Sequence, residues 1–232
     1  MIFFNDIVFD TLQFIQFISR TPKLKTLERA TVIFAANAVQ LNLSSRTTGK
    51  GLPNVRISCK RFDWQISSLE QICTPSCPPI STLEDLNIHK LSFPPLDWQV
   101  DVEDAVWLDL LHPFIAVKNL FLSERISRCI VPSLHELIGG RTAEVLPSLQ
   151  NIFLEGLQPS EPVQEGIKQF VATRQSTGYS IQFLVGTETG QRSRRLAIDE
   201  SPPPSLITIT FCVIYLPTPI PSFSLFLVII VI

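Results

Sequence analysis

Charge is scarce in this chain. Acidic and basic residues fill 17% of its 232 positions and nearly cancel, leaving a formal net charge of −2. A surface that gathers phosphates needs a surplus of Lys and Arg, so nucleic acid is not an expected partner. Tyrosine is scarce too. Two Tyr against 16 Phe argue against a tyrosine-rich contact surface. The opening stretch MIFFNDIVFD carries no basic run and no small-residue cleavage site, so it does not read as a secretory signal. The cysteines Cys59, Cys73, Cys77, Cys129 and Cys212 are odd in number and irregularly spaced. They outline no disulfide framework, and the expectation is reduced thiols in a cytoplasmic or nuclear protein.

Catalytic signatures are also missing. The stretch "SSRTTGKG" places a Gly-Lys pair in a polar loop. A phosphate loop needs a Gly separated by four residues from that pair and Ser or Thr after it, where this chain has Ser44 and Gly51. Cys73 and Cys77 offer two thiolates, yet no second Cys or His pair stands at zinc-ligand spacing. Ser133 and His135 lie two apart on an expected helix and do not face each other. No G-x-S-x-G elbow occurs. Asp97, Asp101, Glu103 and Asp104 gather in "DWQVDVED". A solvated helix start, with acidic groups at the positive end of the helix dipole, accounts for them more simply than a cation site. The expectation is a protein that is not an enzyme, with no catalytic residue, cofactor or metal.

What is present is a repeat. "LEDLNI", "VKNLFL" and "LQNIFL" begin at Leu83, Val117 and Leu149, 34 and 32 residues apart. Each has aliphatic residues at its first, fourth and sixth positions. Helical periodicity follows each, at about 101–111, 124–138 and 161–174. In the last, Val163, Ile167, Phe170 and Val171 share a face, Ser160 is placed to cap, and Pro162 sits in the first turn. One such unit cannot cover its own apolar triad. Stacked units can, as a parallel sheet with helices behind it. The pattern therefore predicts an α/β fold, a curved solenoid of parallel strands with outer helices. Upstream, a helix is expected at 7–19 and a β-rich N-terminal cap at about 24–60. In that cap "LERATVIFAANAVQLNLSS" folds about Ala36-Asn37 and "NVRISC" adds a third strand. A helix is expected at 64–72, and "YSIQFLV" reads as a further strand.

These phrases carry a resemblance. The L-x-x-L-x-L units resemble leucine-rich repeats. "SRTPKLKTLERATVIF", "RFDWQISSLEQIC", "LLHPFIAVKNLFLSERISRCIVPSLHELIGGRTAEVLPSLQNIFLEGLQP" and "VQEGIKQFVATRQ" are similar to the C-terminal part of F-box and leucine-rich-repeat proteins of mushroom-forming fungi, over roughly residues 9–183. The resemblance implies a leucine-rich-repeat-like domain over 1–185 and a role as the substrate-binding part of a ubiquitin-ligase adaptor, with a protein substrate as partner. Coupling to the ligase would run through an F-box, whose Leu-Pro-type opening is not in this sequence.

Residues between the core positions should face outward. They are Asp85, Asn87 and His89, then Asn119, Phe121 and Ser123, then Asn151, Phe153 and Glu155. They form the expected partner-binding set. Phe121 and Phe153 occupy equivalent places on neighbouring strands, ~4.8 Å apart, and two such aromatics make either a contact hot spot or a layer under covering loops. After a polar, Pro-rich linker at 186–205, residues 206–232 carry no charge. Their length suits a membrane span, but Pro217, Pro219 and Pro221 interrupt a helix there, and "LITITF" alternates like a strand. A membrane-associated interaction protein tethered by this tail is the alternative function. A non-native reading frame is the other account of the tail.

Overall fold

The computed structural model describes residues 27–45, 54–58, 61–73, 78–91, 104–136, 144–155, 161–186, 208–213 and 227–231. The expected helix at 7–19, the polar loop, the cap at Ser160 and the carboxylates of Asp97, Asp101 and Glu103 lie outside these residues. In chain order the elements are β1 (Arg29–Ala35), β2 (Ala38–Ser44), β3 (Asn54–Ser58), α1 (Phe62–Ile72), α2 (Pro78–Ser81), β4 (Asp85–Lys90), α3 (Asp104–Leu111), β5 (Asn119–Ser123), α4 (Glu124–Glu136), β6 (Asn151–Glu155), α5 (Glu161–Ser176), β7 (Gln182–Gly186), β8 (Thr208–Val213) and β9 (Leu227–Val231).

The strands form one sheet in the order β7-β6-β5-β4-β1-β2-β3-β8-β9. It is mostly parallel. Strands β1, β4, β5, β6 and β7 run the same way, and β3 pairs in parallel with β8. The pairs β1–β2, β2–β3 and β8–β9 are antiparallel. Ala35 opposite Ala38 leaves Ala36 and Asn37 as the two-residue turn of the first hairpin, the loop length that best matches strand twist. The stretch expected as an N-terminal cap is thus continuous with the main sheet through the β1–β4 pairing. Strands β8 and β9, from the apolar tail, extend its far side.

The three triads point the same way. Leu83, Leu86 and Ile88, Val117, Leu120 and Leu122, and Leu149, Ile152 and Leu154 are each no more than 2% exposed. The first member of each lies in the turn before its strand, which is why the strands begin two residues later than the motif. A fourth triad precedes them. Leu27, Ala30 and Val32 are buried to the same degree, and Ala30 and Val32 stand opposite Leu86 and Ile88. Burying one such aliphatic side chain contributes about 1.5–3 kcal/mol, so the stacked triads are the main cohesive element of the sheet.

Helices α1, α3, α4 and α5 cover that apolar face, each beside the next. Phe34 from β1, Phe62 from α1 and Trp107 from α3 meet edge-on or tilted, with ring centroids 5.0–5.8 Å apart. Ser133 of α4 donates to the Asp104 carboxylate of α3 at 2.7 Å. A Cβ on Gly166 of α5 would lie 2.5 Å from Cγ1 of Val131, so glycine permits the close approach of α5 to α4. Pro132 sits inside α4, but on the solvent side, where the carbonyl it leaves without a partner can be hydrated.

One buried cation is structural. Arg174 of α5 is fully buried. Its guanidinium donates to the carbonyls of Leu146, at 2.9 Å, and Val145, and it lies near the rings of Phe170 and Tyr179. Leu146 has a positive φ of 50°. The left-handed turn points its carbonyls inward, and the arginine fork satisfies them where water does not reach. Desolvation lowers the pKa of this guanidinium below its ordinary value, with Tyr179 opposing the shift.

Candidate functional site

The sheet's other face carries no helix among the described residues. Its side chains lie in rows across the strands, set by the in-register pairing. The first row is Arg29, Asp85, Asn119, Asn151 and Gln182. The second is Thr31, Asn87, Phe121, Phe153 and Leu184. The third holds Ile33, His89, Ser123 and Glu155. In this way the pairing brings all nine expected residues onto one face.

From Arg29 to Asn151 the first row is a continuous hydrogen-bond ladder. Arg29 donates Nε and Nη2 to Asp85 Oδ2 at 3.3 and 3.1 Å. Asn119 Nδ2 donates to Asp85 Oδ1 at 2.8 Å, and Asn151 Nδ2 donates to Asn119 Oδ1 at 2.8 Å. Asp85, grouped by its sequence position with the outward-facing residues, is only 2% exposed. Its carboxylate is shut in between Arg29 and Asn119. A buried carboxylate is tolerable only when paired and hydrogen-bonded, so Asp85 braces the sheet rather than offering a contact.

The second row is apolar at its centre. The rings of Phe121 and Phe153 stack with centroids 4.4 Å apart and planes within 8°. Both are half-buried. Leu184 continues the row on β7 and is 43% exposed. Asn87 flanks the stack on the other side, its amide turned to the Ala30 carbonyl and the Thr31 hydroxyl at 3.5 and 3.4 Å. In the third row His89 Nδ1 stands 3.4 Å from Glu155 Oε2, reaching across β5. Ser123 Oγ, between them in the row, accepts the Lys90 backbone N–H at 3.3 Å.

The face is therefore an aromatic pair extended by a leucine and framed by amides on one side and a His–Glu pair on the other. Comparison with protein-family models, curated proteins and solved structures returns no match. Function has to be argued from the chemistry of the face itself.

Other sequence candidates are engaged elsewhere. Ser133 bonds Asp104, while His135 pairs with Gln169 at 3.0 Å. Cys73 is buried and Cys129 partly buried. Burial pushes the Cys129 thiol up, against the lowering pull of Lys90 and Arg128. Among the described residues no group of three His, Cys, Asp or Glu side chains is placed to hold a metal, and no helix is long and apolar enough to cross a membrane. The sequence reading missed Arg29, Gln182 and Leu184. A signal for Arg29 was available, because it stands two residues after Leu27 as Asp85 stands two after Leu83.

Proposed function

We propose that this chain is a protein-recognition module whose partner docks on the open sheet face, centred on the Phe121–Phe153 stack. The observation that carries this reading is the stack itself: two parallel rings, half-buried, in the middle of a polar frame. Aromatic anchors surrounded by polar groups are the usual anatomy of an energetic hot spot. The units at 83, 117 and 149 are the turns of a leucine-rich-repeat-like solenoid in this reading. In keeping with the fungal F-box resemblance, the module is the substrate-binding part of a ubiquitin-ligase adaptor. It makes no covalent change in its partner.

Affinity capture with the full chain, beside a Phe121→Ala/Phe153→Ala double variant, tests the idea. Hot-spot truncation costs ~2 kcal/mol or more per residue, so the variant should lose partners that the parent retains. Its circular dichroism should match the parent's, since both rings lie off the apolar core. Equal partner sets for two folded proteins would refute the proposal.

A further inference from the structure

The amide ladder has a direction, and the direction follows from chemistry. Asp85 is paired with Arg29, so its carboxylate is ionised and only accepts. Asn119 must therefore turn its NH2 towards it. That leaves the Asn119 oxygen facing β6, and Asn151 must answer with its own NH2. The Asn151 carbonyl oxygen is then left over, aimed away from the ladder. Each link withdraws charge from one amide and places it on the next, so the last oxygen is a strengthened acceptor.

The ladder stops there. Gln182 is next in register and bears an amide, yet among the described residues its side chain bonds to nothing and Asn151 Oδ1 accepts nothing. A cavity of about 530 Å³ has both residues in its lining. It lies at the rim where β6 and β7 begin, between the turn before β6 and the turn after α5. Ser148, Gln150, Asn151, Tyr179, Ser180 and Gln182 are among the residues lining it, and none of the described lining residues carries a formal charge.

We propose that this groove binds the side-chain amide of an Asn or Gln in a partner polypeptide, as the next step of the ladder. A primary amide donates to Asn151 Oδ1 and accepts from Gln182 with the same group. A carboxylate would set acceptor against acceptor. An ammonium would enter a site where none of the described lining residues offers it a negative charge. The volume exceeds one amide side chain and suits the flanking backbone as well. This deepens the protein-recognition reading and rests on it, but it uses residues apart from the phenylalanine stack.

The test uses the ¹⁵N-labelled full chain and acetyl-Gly-X-Gly-N-methylamide peptides, with X as Asn, Gln, Asp or Lys, and maltose as a neutral polyhydroxyl probe. The side-chain NH2 resonances of Asn119 and Asn151 report on the ladder. The Asn and Gln peptides should shift both and bind at least about tenfold tighter than the Asp peptide, the factor that one hydrogen bond supplies. Gln182→Ala, an exposed change, should keep the ladder resonances and weaken the amide peptides at least about fivefold. Silence towards every peptide, equal binding of the Asp peptide, or a response to maltose alone would overturn the proposal. The Phe121→Ala/Phe153→Ala variant should still respond to the amide peptides. A silent groove alongside stack-dependent capture would sink this inference alone, and an amide-selective groove alongside stack-independent capture would sink only the hot-spot reading.

Discussion

Replacing Asn119 with alanine removes the middle of the amide ladder. Two bonds go at once. The one to Asp85 is to a charged acceptor, a class that contributes about 1.5–3 kcal/mol, and the one from Asn151 is neutral, contributing about 0.5–1.5 kcal/mol. Asp85 stays buried with one fewer donor. The expected loss is about 2–4 kcal/mol, which for a chain of this size lowers the Tm by about 4–16 °C. Asn151→Ala removes only the neutral bond and should cost about 0.5–1.5 kcal/mol. Asn119→Asp preserves size but sets a second carboxylate against Asp85. It should be the least stable of the three at neutral pH and recover as pH falls and the pair takes up a proton. Urea unfolding followed by two probes, at neutral and acidic pH, measures all three. Equal losses for Asn119→Ala and Asn151→Ala, or an Asn119→Asp protein as stable as the parent at neutral pH, would show that the ladder does not brace the sheet.

Two further outcomes follow from charged groups that folding desolvates. Arg174→Met fills similar volume but leaves the Val145 and Leu146 carbonyls without their donor; the urea midpoint should fall by the equivalent of about 2–4 kcal/mol with an unchanged slope, and a shift under about 0.5 kcal/mol would refute the role given to the arginine. Burial, and secondarily Asp109, raises the Glu70 carboxyl above its ordinary value. Its favourable contribution is therefore complete below the unfolded pKa, about 4.3, and is lost as pH rises through the folded one. Glu70→Gln should match the parent in acid and become progressively more stable than it towards neutral pH, and parallel stability–pH curves would contradict this.

The α/β pattern was legible because it is local. A strand shows itself by alternation and a helix by its apolar stripe, and Leu83, Val117 and Leu149 announce both the strands and the inward direction of their neighbours. Pairing between distant segments leaves no such trace. Nothing around Arg29 says that β1 lies beside β4, so its triad of Leu27, Ala30 and Val32, weakened by an alanine, reads as part of a hairpin. The Phe34–Phe62–Trp107 cluster is hidden for the same reason, since its rings come from three elements. On the open face, position alone placed Phe121 beside Phe153. It did not reveal that Asp85 is buried, because burial there depends on Arg29, 56 residues away in sequence. Yet Asp85, Asn119 and Asn151 share one position in their units. A row of hydrogen-bonding groups at one repeat position is a signal that a sequence can carry.

The detour between β1 and β4 has a consequence for how such a sheet can grow. Arg29 and Asp85 are 56 residues apart, against 34 and 32 for the steps to β5 and β6. The entropy of closing a flexible segment rises only with the logarithm of its length, so the longer excursion costs about 0.5 kcal/mol more than its neighbours. A whole hairpin and two helices have thus been accommodated between two adjacent parallel strands for less than a typical single hydrogen bond contributes. Material inserted at that junction should be tolerated wherever it can cover itself, which makes it the natural place for this architecture to gain new parts.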